Sequence, residues 1–184
     1  MTGGTSRFAG KVAVVTGGGL GIGRAICLIL AEGGANVVVG SNVAEQAGTI
    51  VAEICTLGVK EIARTVDVTH LAAVEALSAE VEMDLGGANI LVTCAGVMGA
   101  RKLITETSAA EWHRTIAINL DGTIGLTETI AIELGMLGKN GVNANALCRG
   151  PIDTPMMEAI TDHLAPGMNM DREKFRKVVV AKNI

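Results

Sequence analysis

Two rhythms of apolar and polar positions alternate along the chain. Short runs, most of them rich in β-branched residues, at Val12 to Thr16, Asn36 to Gly40, Glu61 to Val66, Asn89 to Thr93 and Val142 to Leu147 predict strands. Longer stretches with apolar residues at helical spacing fill the gaps, most clearly Gly21 to Glu32, Val43 to Leu57 and Leu71 to Leu85. Each is followed closely by glycine, a common helix stop because it accepts left-handed backbone. Strands alternating with helices predict an α/β doubly wound fold, a parallel sheet covered on both faces. A further helical stretch, AINLDGTIGLTETIAIELG, runs from Ala117 to Gly135. After Pro151 the periodicity fades, and Pro155, Pro166 and Gly167 predict a mobile, partly helical arm over about residues 151–184. No repeat, low-complexity tract or linker divides the chain, so residues 1–184 are expected to form a single domain.

Composition narrows the picture. Charged residues make up only 18% and mean hydropathy is +0.44, yet no apolar run reaches the roughly 18 uninterrupted residues of a membrane span, so the apolar surplus belongs to a core. The start, MTGGTSRFAGK, has no apolar segment leading to a small-residue cleavage site, and a cytoplasmic location is expected. The net charge of −4 comes with interspersed signs, which provides no basic face for nucleic acid and no polybasic membrane anchor. Cys27, Cys55, Cys94 and Cys148 stand singly in apolar segments, which predicts small buried thiols rather than disulfides or a metal site.

The strongest chemical signal is TGGGLGIG, Thr16 to Gly23, which follows the first predicted strand and opens the first helix. In that context glycines make a phosphate cradle: Gly17 and Gly21 permit a tight turn and close backbone approach, and Gly23 permits close helix packing. The free N–H groups of the new helix then face an anion, which points to a dinucleotide. A specificity group for the ribose is expected at the end of the second strand. Ser41 and Asn42 stand there, neither acid nor base, so NAD and NADP are left open.

The spacing TGxxxGxG resembles the short-chain dehydrogenase/reductase family, and four more segments in the same order are similar to it. VDVT, Val66 to Thr69, resembles the stretch where Asp67 and Val68 would contact adenine. LVTCAG, Leu91 to Gly96, resembles the family's NNAG strand end, with Thr93 and Cys94 in place of the asparagines and Ala95 and Gly96 beside the cofactor. INLDG, Ile118 to Gly122, resembles the helix carrying the family's catalytic asparagine, here Asn119. RGPIDTPM, Arg149 to Met156, resembles the PGxxxT segment lining the nicotinamide, with Arg149 where proline is usual and Thr154 at the threonine. The resemblance implies a Rossmann-like fold that binds NAD or NADP through Gly17, Gly19, Leu20, Gly21, Ile22, Gly23, Ser41, Asp67, Val68, Ala95, Gly96 and Thr154. It also implies oxidoreductase activity on a small-molecule alcohol or carbonyl substrate, and a tendency to form homo-oligomers.

In the family a serine orients the substrate, a tyrosine exchanges the proton, and a lysine four residues later lowers the tyrosine's pKa and holds the ribose. Hydride transfer at carbon must be matched by proton transfer at oxygen. This chain contains no tyrosine. By resemblance, AINLDGT belongs to the helix after the fourth strand and IGLTETIAIELG to the later part of the next one. Between Thr123 and Ile124 the family places the missing serine, tyrosine and lysine, about one βαβ repeat or roughly 30 residues. The family's fifth strand is accordingly expected to be absent, and so is its last strand, which in the family follows the arm that REKFRKVVVAKNI resembles. Strand order is expected to be 3-2-1-4 followed by the Val142 to Leu147 strand, and impaired or absent catalysis is expected, the alternative being a catalytically dead nucleotide-binding or interaction module or a non-functional shortened isoform. His113, beside Trp112, and Lys139, near a helix end, form no substitute constellation.

Overall fold

The computed structural model describes residues 6–100, 102–131, 143, 145–147 and 149–181. Its centre is β1 (Val12–Thr16), in which all five residues are buried. Even and odd positions serve opposite faces, as strand geometry requires. Val12 and Val14 join Val38, Val66, Val68, Val74, Leu77, Leu126 and Ile130 on one side. Ala13 and Val15 join Cys27, Leu30, Val37, Val39, Ile50 and Ile54 on the other. Burial on both faces is what produces near-continuous apolar strands rather than alternating ones.

Chain order runs β1, α1 (Gly21–Glu32), β2 (Asn36–Ser41), α2 (Ala44–Cys55), β3 (Glu61–Thr65), α3 (Leu71–Leu85) and β4 (Ile90–Thr93). The strands are parallel in the order β3-β2-β1-β4, with Val14 opposite both Val38 and Leu91. Succession reverses between β1 and β4, the place where a doubly wound sheet opens a crevice at the strands' C-terminal ends.

Beyond β4 the chain forms α4 (Ala109–Ile116), a π-helical turn (Ala117–Asp121), α5 (Gly122–Leu126) and a second π-helical turn (Thr127–Ala131). Together these make one continuous rod, so the junction of Thr123 and Ile124 lies inside an unbroken helix. Its inner row of Gly122, Leu126 and Ile130 is buried against the α3 side of the sheet. Gly122 is needed there, because a Cβ would come within 2.6 Å of the Val68 side chain.

Three expectations change. The described residues of the segment expected as a fifth strand, 143 and 145–147, are not in a strand, and Leu147 is 93% exposed; Val142 and Ala144 lie outside the described residues. Val142 is that segment's lone β-branched residue, and two asparagines interrupt it. Strand formation depends on packing against neighbours more than on intrinsic preference. Among the described residues β4 is therefore an edge strand, consistent with its half-buried residues.

The segment after Pro151 is more regular than its sequence suggests. It forms α6 (Pro155–Gly167) and α7 (Arg172–Ala181). Pro155 starts the first helix rather than loosening it, since its fixed φ suits the first helical position. Thr161, Ala165 and Phe175 are buried, and Arg172 pairs with Asp162 at 2.6 Å. Finally, Cys55 is exposed rather than buried: it ends α2, whose inner positions are taken by Ile50 and Ile54. Cys27 is buried as expected, Cys94 is half-buried, and Cys148 lies outside the described residues.

Candidate functional site

The loop Gly17 to Leu20 leaves the buried end of β1 and enters α1. Gly17 has φ +66 and sits directly on the backbone after β4, where a Cβ would approach Ala95 N and Cα to 2.7 Å. A Cβ on Gly23 would overlap the Gly17 carbonyl oxygen, so that glycine lets α1 start close against the turn. The turn is further held by Gly18 N donating to Gly40 O at 3.0 Å and Cys94 N to Thr16 O at 3.2 Å.

At its N-terminus α1 has no side-chain cap and no acidic residue in its first turn. The first N–H groups of a helix lack intrahelical acceptors and carry the positive end of its dipole, so this start suits an anion. Leu20 is exposed and Ile22 half-buried beside it. The space over Gly21 is bounded by Thr154, whose Cβ and Cγ2 lie 3.4 Å from where a Gly21 Cβ would stand. Thr154 Oγ1 accepts from Met157 N at 3.3 Å, which caps α6, and the start of that helix stands beside Gly21. Gly19 backs onto α2 instead, with Gln46 Cβ 2.7 Å from its virtual Cβ.

Asn119 lies in the first π-helical turn. Its Nδ2 donates to Val97 O at 3.0 Å and its Oδ1 accepts from Val97 N at 2.9 Å. The amide thus replaces a strand partner for the segment leaving β4, and it holds Gly96 against the rod, the Oδ1 being 3.0 Å from a virtual Gly96 Cβ. π-Helical turns recur at functional positions, where they redirect a side chain.

On the other side of β1, Asp67 Oδ1 accepts from Thr69 N at 2.9 Å and Thr69 Oγ1 at 2.7 Å. These bonds hold the Asp67 carboxyl below its ordinary range, with His70 and Arg114 adding smaller contributions. Val68 turns its side chain into the core against Gly122. Ser41 Oγ is buried and accepts from Val43 N at 3.1 Å, so its hydroxyl closes the turn after β2.

The structure therefore brings Gly17, Gly21, Gly23, Ala95, Gly96, Asn119 and Thr154 around one crevice at the β1/β4 switch, while Ser41, Asp67 and Val68 lie at the C-terminal ends of β2 and β3, with the Val68 side chain in the core. Gly19, Leu20 and Ile22 stand on the loop and first helical turn between these groups. Sequence reasoning missed Val97 as the partner of Asn119 and Gln46 behind Gly19, because neither carries a local pattern. Thr16 Oγ1, at the head of β1, is buried with no hydrogen-bond partner among the described residues. Asp153 is engaged with Arg176. His113 is exposed, and Lys139 lies outside the described residues.

The family model described as short chain dehydrogenase matches residues 11–135. A 3beta-hydroxysteroid dehydrogenase of Mediterraneibacter gnavus is 28% identical, the match covering 83% of this chain and 70% of that protein. A D-beta-hydroxybutyrate dehydrogenase of Rhizobium meliloti is 29% identical over 80% of this chain and 74% of its own. A short-chain dehydrogenase/reductase of Armillaria gallica aligns over 201 residues, using 84% of this 184-residue chain, so the alignment includes positions for which this chain has no residue. Among solved structures, a 7 alpha-hydroxysteroid dehydrogenase complexed with NADH and 7-oxo glycochenodeoxycholic acid has a TM-score of 0.67 at 34% identity, covering 73% of this chain and 52% of that one. An NAD+-bound xylitol dehydrogenase has a TM-score of 0.69 at 28% identity, covering 71% and 50%. The chain thus spans about half the length of these solved structures. With the parallel sheet, the glycine turn on Ala95 and the Asn119 clasp in place, the chain belongs to the short-chain dehydrogenase family.

Proposed function

We propose that this chain is a cytoplasmic NAD(P)-binding oxidoreductase of its family, acting on a small-molecule alcohol or carbonyl compound with impaired hydride transfer. The observation that carries the binding half is Gly17 seated on the Ala95 backbone beside the uncapped start of α1. That arrangement leaves backbone N–H groups and a side-chain-free surface where a pyrophosphate fits. Gly17, Gly19, Leu20, Gly21, Ile22 and Gly23 would hold the pyrophosphate side, Ser41, Asp67 and Val68 the adenosine side, and Ala95, Gly96 and Thr154 the nicotinamide side. Asp67, already ionised and fixed by Thr69, would offer its second oxygen as an acceptor. The α6–α7 arm would close over the substrate side. When bound, the dinucleotide donates or accepts the hydride.

The remaining chemistry falls to the chain's own groups, and there the set is short. The chain has no tyrosine. Both ends of the Asn119 amide are engaged by Val97, and the Thr154 hydroxyl donates to Ile152 O at 3.3 Å while it accepts from Met157 N at 3.3 Å. Neither is placed to exchange a proton with a substrate oxygen. Positioned acid–base groups contribute typically about 10² to 10⁴-fold, so turnover should fall by about that factor or more. The test titrates NADH and NADPH into the purified chain by fluorescence, then follows nicotinamide absorbance with secondary alcohols and ketones. A version carrying a restored family Ser/Tyr/Lys segment provides the reference. Binding with turnover far below the restored version is expected; comparable turnover would refute the impairment, and absence of binding would refute the site.

A further inference from the structure

The glycine loop leans on α2 through a residue that belongs to no motif. Gln46 Cβ lies 2.7 Å, and Gln46 Oε1 3.3 Å, from where a Gly19 Cβ would stand. Gln46 is half-buried in the first turn of α2, so its amide lies along the loop where the loop meets the end of β2, Gly18 N donating to Gly40 O at 3.0 Å. A dinucleotide whose pyrophosphate rests on such a loop turns its adenosine ribose towards the end of the second strand. A carboxylate there accepts the ribose 2′-OH, or an arginine receives a 2′-phosphate. The Ser41 hydroxyl at that end is buried and already accepts from Val43 N at 3.1 Å. Gln46 supplies a polar group in direct contact with the loop.

Charge decides what this amide can receive. The elements around it, β1, α1, β2, α2 and β3, carry two cations, Arg24 and Arg64. Arg24 meets Glu53 at 2.5 Å, and Arg64 meets Glu80 and Asp84. His70, after β3, stands 3.8 Å from the Asp67 carboxylate. Glu45 occupies the first turn of α2, where a carboxylate takes up the positive end of the helix dipole. We propose that the site selects NAD(H) over NADP(H), with Gln46 as the specificity residue. Its Oε1 accepts a hydroxyl of the adenosine ribose, whereas a 2′-phosphate in the same place meets Glu45 and no uncommitted cation on these elements. This inference rests on the dinucleotide reading of the crevice.

Fluorescence titration of the full chain with NADH and with NADPH gives the ratio of the two dissociation constants. NADH should bind about tenfold more tightly, because a phosphate without a charged partner loses a charge-assisted contact. Gln46→Glu should widen the ratio, since a carboxylate accepts the ribose hydroxyls and repels the phosphate. Gln46→Arg should close or reverse it. Both variants keep the Cβ that packs on Gly19, and their thermal melts without nucleotide check that the fold is intact. A wild-type chain that binds NADPH as tightly as NADH overturns the proposal, and so does a ratio that neither variant moves. In those cases the dinucleotide reading stands. If neither nucleotide binds the wild-type chain, that reading fails and takes the inference with it.

Discussion

An alanine at position 17 would have to hold φ +66 while its Cβ pressed to 2.7 Å from the Ala95 backbone. Neither neighbour is a flexible side-chain end, so relief requires moving β4 away from β1. Gly17→Ala should therefore cost about 3 kcal/mol or more of stability, the upper range for a strained left-handed residue, and urea denaturation measures it. Asn119 tests a different constraint. Asn119→Asp keeps the shape and the acceptor for Val97 N but loses the donor to Val97 O and sets two oxygens against each other. Because the pair is exposed, water can replace the lost partner. A loss of about 1 kcal/mol is expected, again read from urea midpoints, with Asn119→Ala at least as severe.

Among the elements, α4 has the most explicit start. Ser108 Oγ accepts from Glu111 N at 3.3 Å and the Glu111 carboxylate accepts from Ser108 N at 2.9 Å, a capping box that also engages Lys102 at 2.9 Å. The hydrogen bond from Lys102, followed by those from Ser108, lowers the Glu111 pKa from 4.5 to about 2. A carboxyl with a depressed folded pKa supplies stability that is full above its unfolded value and lost as pH falls through the folded one. Acid should thus loosen the start of α4 between about pH 4.5 and 2. Amide exchange at residues 109–112 measures this, and Glu111→Gln should flatten the pH dependence over that window. The same capping logic explains α6. Thr154 and Pro155 supply an N-cap and a first-turn proline, so a segment rich in turn-forming residues begins a helix.

At the level of the molecule, two packed clusters on the two faces of one sheet make the glycine turn a fixed floor for a ligand. A ligand that binds only the folded state stabilises it by RT ln(1 + [L]/Kd), about 2.7 kcal/mol at 100 times Kd. Thermal melts with NADH at increasing concentration should therefore shift upward in the wild-type chain. Gly21→Val would crowd its methyls onto Thr154, whose Cβ and Cγ2 lie 3.4 Å from where even a Gly21 Cβ would stand, and would hold a β-branched residue at φ +54; it should lower the melting temperature of the unliganded chain and abolish the NADH-dependent shift of the transition that remains. An undiminished shift in that variant would place the dinucleotide elsewhere.

Most of the sheet and its first three helices were legible in the sequence. β1, α1 and α3 have the expected boundaries, and β2, β3, β4 and α2 differ by one or two residues at their ends. A residue's burial on a strand or helix is repeated at fixed local spacing, so Val12 to Thr16 or Leu71 to Leu85 declare their environment without reference to distant parts of the chain. The glycine turn was legible for the same reason, since its spacing after a strand is local. Tertiary structure alone decided that Asn119 clasps Val97, that Thr154 faces Gly21, and that the described part of Val142 to Leu147 does not extend the sheet. Each of these depends on groups brought together from separate segments, where the free energy comes from a partner's position and not from any periodicity the segment itself carries.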